Sequence, residues 1–126
     1  TTSTSPVFAD RDLKPGAHVS AIGSYTPDMQ EIPAETVARA KVVVDSISAT
    51  LAETGDLLKP MEAGLFDESH IYAELGEIVL GRKAGRQSET EITFFKSVGI
   101  AVQDAMAANL ALQNAEKMGL GQNVNF

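Results

Sequence analysis

Cysteine is absent from the 126 residues, which removes disulfides, thiolate catalysis and cysteine-ligated zinc together. Redox chemistry therefore gives no clue to compartment, and the cytoplasm is the default expectation. Basic residues are in the minority, 10 Lys and Arg against 17 Asp and Glu for a formal charge of −7. That balance argues against nucleic-acid or anionic-membrane partners, both of which select a basic surface. No apolar run approaches the ~20 residues a membrane-spanning helix needs. The start, Thr1-Thr2-Ser3-Thr4-Ser5-Pro6, has no initiator methionine and no charged segment leading into an apolar one, so no secretory signal is expected. A glycine-rich phosphate loop is missing as well. Any nucleotide site would need a second part beyond these residues.

What is present suits a packed domain: 44% hydrophobic and 21% charged residues fit one globular unit. Leu13-Lys14-Pro15-Gly16 reads as a turn, followed by Ala17–Gly23 as a short strand buried on both faces. Pro33–Ala40 reads as a short helix with proline in its first turn. Lys41-Val42-Val43-Val44-Asp45 is a strand of β-branched residues, and 46–54 a helix stopped by Gly55. Leu58-Lys59-Pro60 reads as a loop. Residues 68–80 read as a helix, because Ile71, Leu75, Ile78 and Val79 recur at helical spacing. Arg82–Arg86 forms a polar turn, Ile92–Phe95 a strand, and 99–118 a long helix with Gly119 as its stop. Strands alternating with helices predict a parallel α/β sheet.

The segment Glu91–Gly99 carries the most information. An alternating strand runs into Lys96-Ser97-Val98-Gly99 and then a helix, which would leave free N–H groups beside a hydroxyl, a place for an anion or a nucleotide. Lys96 could supply counter-charge; the plain alternative is that Ser97 is an ordinary helix cap. Ile22-Gly23-Ser24-Tyr25-Thr26-Pro27 leaves the carboxyl end of a parallel strand, where open α/β sheets bind ligands. There Gly23 would let a ring or phosphate press on the backbone, and Ser24 and Tyr25 would offer hydroxyls. A strand exit that needs glycine for its geometry explains the same residues.

Other constellations are weaker. Asp45 ends a strand as a ribose-binding carboxylate does, but no glycine loop precedes it by the required ~20 residues. Glu74 and Glu77 share one helical turn and read as exposed charge beside Arg82 and Lys83. His18 and His70 have neither a second histidine nor clustered carboxylates at ligand spacing, so no metal site is expected. Ser97 has no His–Asp pair near it in sequence, which argues against nucleophilic catalysis.

Taken in order, Pro15-Gly-Ala-His-Val-Ser-Ala-Ile-Gly-Ser24, Pro27-Asp28, Glu31, Val42-Val-Val-Asp-Ser46, Glu53-Thr-Gly-Asp56, Ile71-Tyr-Ala-Glu-Leu-Gly-Glu-Ile78 and Phe95-Lys-Ser-Val-Gly-Ile-Ala-Val-Gln-Asp104 resemble the ornithine cyclodeaminase/mu-crystallin family from Thr1 to about Gly119. The resemblance implies an α/β fold, the second half of a Rossmann-type domain with C-terminal helices. Residues 1–97 would be the later half of the NAD(P)-binding domain. Residues 98–126 would be a helix and tail returning towards a dimerisation and substrate domain. It further implies that the first domain and the glycine-loop half lie upstream of Thr1.

The resemblance also implies part of an NAD(P)-dependent oxidoreductase acting on an amino or imino acid, of the alanine dehydrogenase or ketimine/pyrroline-carboxylate reductase type. Alternatives are ornithine cyclodeaminase itself, or a non-catalytic association module that keeps the fold. By the same resemblance Thr1, Thr2, Ile22, Gly23, Ser24 and Ser97 would touch NAD or NADP, and Val98 the substrate. Tyr25 would stand at the position of the family's acid/base aspartate. A phenol ordinarily ionises near pH ~10 and cannot shuttle protons at neutrality as a carboxylate does, so ammonia-releasing cyclisation is disfavoured against reduction or dehydrogenation. The 126 residues alone are expected to be inactive and to associate, as a homodimer or with an N-terminal part, through a bare sheet edge and an uncovered apolar face.

Overall fold

A computed structural model describes residues 1–122 and Val124; Asn123, Asn125 and Phe126, the end of the expected tail, lie outside the described residues. The chain runs β1 (His18–Ala21), α1 (Ala34–Arg39), β2 (Lys41–Val44), α2 (Ile47–Glu53), α3 (Gly55–Glu62), β3 (Ile71–Glu74), α4 (Leu75–Val79), β4 (Thr93–Lys96) and α5 (Ala101–Met118). The strands form a four-stranded sheet in the order β1-β4-β2-β3. All its pairings are parallel, as the alternation of strands and helices predicts. The last strand to be made is inserted between the first two, so the carboxyl ends of β1, β4 and β2 lie side by side.

One face of the sheet is the core. Val19 and Ala21, Val42 and Val44, Ile71, and Phe94 point from it into Ile32, Val37 and Leu57, and all are buried. The other face carries His18, Lys41, Val43, Thr93 and Phe95; with Leu75, Ile78 and Arg86 they line an open cleft of about 350 Å³. Strand β1 is therefore buried on one side only: His18 and Ser20 are exposed while Val19 and Ala21 are not. The expectation of two buried faces is corrected. Short strand runs do not show from sequence alone which face goes uncovered.

Two further expectations change. Residues 71–74 are a strand, not the start of a helix: Ile71 and Ala73 are buried and alternate with Tyr72 and Glu74. Pairing with the free edge of β2 satisfies this backbone, and only Leu75–Val79 winds as helix, started by a reciprocal capping box between Glu74 and Glu77. The helical spacing read from Ile71 onward joined one strand residue to three that follow it. Leu58–Pro60 is helix, not loop. Thr54 caps α3 by accepting from Asp56 N, and burial of Leu57 and Pro60 offsets the one hydrogen bond that proline removes.

Helix α5 ends as read, on Gly119 in the left-handed region (φ 66°), with Leu120 N donating to Ala115 O at 2.8 Å. Its start is later than expected, at Ala101. All its residues are exposed except Ala115, which is half-buried.

Candidate functional site

Parallel pairing of β1 and β4 decides where the two candidate loops go. Ser97 N donates to Ala21 O at 3.1 Å, so Ile22–Tyr25 and Ser97–Gly99 leave the sheet together at its carboxyl edge. On the other side of β4, Asp45 N donates to Lys96 O at 3.2 Å. Asp45 thus closes β2 directly beside the loop that follows β4.

That placement gives Asp45 a task the sequence did not reveal. Its Oδ2 accepts from Ser97 Oγ at 2.7 Å, Val98 N at 3.0 Å and Gly99 N at 2.7 Å. Its Oδ1 accepts from Ser46 N at 2.8 Å. Burial works against the charge, but the donors from Ser97, Gly99, Ser46 and Val98 outweigh it and hold the carboxyl below the ordinary range. The expectation of free amides at a helix start is therefore corrected: the helix begins further on, and a carboxylate of the chain itself takes the Val98 and Gly99 N–H groups. Ser97 is not the helix cap, which is Ile100.

A second cluster holds the loop after β1. Glu31 Oε2 accepts from Gly23 N at 2.8 Å and Ser24 N at 3.0 Å, while its other oxygen meets the Thr1 amino nitrogen. Burial opposes ionisation of Glu31, yet the Thr1 nitrogen and the Gly23 and Ser24 amides draw its carboxyl down to about 2. Asp56 Oδ1 in turn accepts from Glu31 N at 2.7 Å and Ile32 N at 3.0 Å. Between the two acids lies Lys96, wholly buried, with Nζ 3.3 Å from Asp56 Oδ2 and 3.9 Å from Glu31 Oε2. Lys96 is thus an internal counter-ion for Asp56 and Glu31 and not the counter-charge of a bound anion. Strand alternation explains why: Lys96 follows Phe94 on the core face.

The candidate residues separate accordingly. Ile22 and Tyr25 are exposed, at 72% and 53%, and Ser97 and Val98 are half-buried at the same edge. Thr1 and Thr2 are exposed. The Thr1 backbone lies so close to Gly23 that a Cβ there would collide with it; the glycine admits this segment of the chain, where the sequence suggested a ring or phosphate. Ser24 is wholly buried, its hydroxyl 2.7 Å from Thr54 Oγ1 and donating to Met29 O at 3.1 Å. Its expected role of presenting a hydroxyl is corrected, since burial leaves it serving the loop. His18 Nδ1 pairs with Thr93 Oγ1 and His70 Nε2 with Val37 O. Glu74 Oε1 accepts from Ile47 N at 2.9 Å, and Glu77 lies 3.6 Å from Lys83.

Comparison with known proteins gives the arrangement a context. The model of the ornithine cyclodeaminase/mu-crystallin family matches residues 1–119. A Delta(1)-pyrroline-2-carboxylate reductase of Bacillus cereus is 49% identical across the whole chain, which spans 39% of that protein. The solved Thermococcus litoralis Delta(1)-pyrroline-2-carboxylate reductase, in complex with NADH and L-proline, superposes with a TM-score of 0.91 at 46% identity, covering 98% of this chain and 38% of that one. An archaeal alanine dehydrogenase dimer with bound NAD superposes with a TM-score of 0.87 at 33% identity, covering 100% of this chain and 39% of that one.

Proposed function

Because the chain belongs to the ornithine cyclodeaminase/mu-crystallin family, we propose that it forms the carboxyl-edge wall of the cofactor site in an NAD(P)-dependent oxidoreductase that reduces a cyclic imino acid or dehydrogenates an amino acid. The observation that carries this reading is the convergence of Ile22–Tyr25 and Ser97–Val98 where parallel strands end, held there through Ser97 N and Ala21 O. Open α/β sheets bind nucleotides at such an edge. The chemistry of relatives that span it, a reductase holding NADH and L-proline and a dehydrogenase holding NAD, supports the same assignment.

The residues fit a nicotinamide. Ile22 presents an exposed apolar side chain of the kind that packs against a flat ring, and the half-buried Ser97 oxygen is available for a polar contact at the rim. When bound, the cofactor supplies hydride transfer. This chain's residues orient the ring and shield one side from water. Val98, next to Ser97, faces the substrate, and Thr1 and Thr2 border the cofactor beside Gly23. Tyr25, at the place of the family's acid/base aspartate, shapes the pocket without serving as the proton shuttle of a cyclodeaminase. Contacts to the substrate's carboxylate and nitrogen come from polypeptide outside this chain, so the 126 residues alone give no turnover. Residues 98–126 lead from the Rossmann-type half towards a dimerisation and substrate domain, and the assembly is a cytoplasmic homodimer.

The test is turnover by the complete protein with NADH or NADPH and Δ1-pyrroline-2-carboxylate, and in reverse with L-proline or L-alanine and NAD. Oxidation of the reduced cofactor dependent on the imino acid supports the reading. Ammonia release from ornithine without net cofactor consumption would replace it with the cyclodeaminase reaction, and cofactor-independent behaviour throughout would remove it.

A further inference from the structure

Asp45 determines how the Ser97 hydroxyl can be used. A carboxylate accepts hydrogen bonds and cannot donate, so the contact of 2.7 Å between Ser97 Oγ and Asp45 Oδ2 commits the serine proton inward. The Val98 and Gly99 N–H groups, the other donors on this loop, end on the same oxygen. The donors from Ser97, Gly99, Ser46 and Val98 keep Asp45 ionised despite its burial. What Ser97 can present to a ligand is oxygen lone pairs.

We infer that Ser97 is a hydrogen-bond acceptor in the cofactor site, that Asp45 is the positioning residue that makes it one, and that its partner is a neutral donor on the nicotinamide half of the dinucleotide. The inference rests on the cofactor reading above and deepens it. Two groups of that half have the required chemistry, the carboxamide N–H and the ribose O–H. The pyrophosphate offers only acceptors and would face the serine lone pairs with like charge. The anion site that the Ser97–Gly99 motif suggests is thereby replaced by a donor-recognising site.

The test measures dissociation constants in the complete protein and in its Ser97→Ala and Asp45→Asn variants. The ligands are NADH, its 3-acetylpyridine analogue, which lacks the carboxamide N–H, and an analogue deoxygenated on the nicotinamide ribose. One net hydrogen bond corresponds to about fivefold in affinity. The expected result is that one analogue loses about fivefold more affinity, relative to NADH, in the wild type than in Ser97→Ala. Which analogue does so identifies the donor. Asp45→Asn, which offers a weaker neutral acceptor to the serine, shrinks that difference while circular dichroism stays native; a purely structural role would lower affinity for all ligands alike. Equal losses in wild type and Ser97→Ala for both analogues overturn the inference, and so does pyrophosphate binding that Ser97→Ala weakens. If neither NADH nor NADPH binds at all, the cofactor reading falls with it. If NADH binds without any coupling, only the polarity of Ser97 is wrong.

Discussion

The sheet body and α5 are held in opposite ways. In the body even charged groups are internal: Lys96 and Asp56 are wholly buried, and Glu31 and Asp45 nearly so. Each acid accepts from backbone amides of other segments, and the remaining Asp56 oxygen faces Lys96 Nζ at 3.3 Å. In α5 the apolar residues Val102, Met106, Leu110 and Leu112 are all about as exposed as a surface lysine would be, at 58–63%. The body ties its loops through these internal acids; α5 has an apolar surface that the described residues leave uncovered. In proteins most helical stability comes from packing an apolar face, and the described residues leave this one exposed.

The largest expected effect lies in the buried cluster. Lys96→Met would leave Asp56 and Glu31 without their counter-ion and should cost about 3–5 kcal/mol, read as a fall in the urea midpoint of the complete protein. A cost below about 1 kcal/mol would mean the cluster is not the tie between the two loops. Next, Asp45→Ala orphans the Val98 and Gly99 amides and should cost about 1–3 kcal/mol, with weaker cofactor binding alongside.

Acid should act on the body in the same direction. The Glu31 carboxyl is drawn from 4.5 to about 2 in the folded chain. A depressed carboxyl contributes stability that is complete above its unfolded value and is lost as pH falls towards the folded one. In the 126 residues alone, with the Thr1 amino group free, denaturant midpoints should therefore decline between about pH 4.5 and 2, and Glu31→Gln should flatten that decline. The smallest effect belongs to α5. Leu110→Ser should stay within about 0.5 kcal/mol in the 126 residues alone, as exposed substitutions do, and the proposed return of this helix towards a second domain predicts a larger cost in the complete protein. Equal small costs in both would break the contrast.

Much of the fold was legible because its signals are local. The Val42–Val44 run, the stop at Gly119 and the alternation of strands with helices each show in a few adjacent residues. What failed depended on distant partners. Residues 71–74 become a strand because the edge of β2 is there to receive them, and Pro60 is tolerated because the helix around it is buried. At the site, the convergence of Ile22 and Ser97 followed from resemblance. The Asp45 contacts did not, since they join residues some fifty positions apart across a strand inserted between earlier ones. The alternation Phe94–Lys96 did carry a hint that Lys96 points inward, but its partners Glu31 and Asp56 are invisible to a reading along the chain.

The central claim is that the loops after β1 and β4 together flank a nicotinamide. The most direct measurement is an NADH titration of the complete, isotope-labelled protein followed by amide NMR. The account predicts saturable shifts concentrated at Ile22, Gly23, Ser97 and Val98. Shifts confined to other segments, with these amides unmoved at saturation, would contradict it.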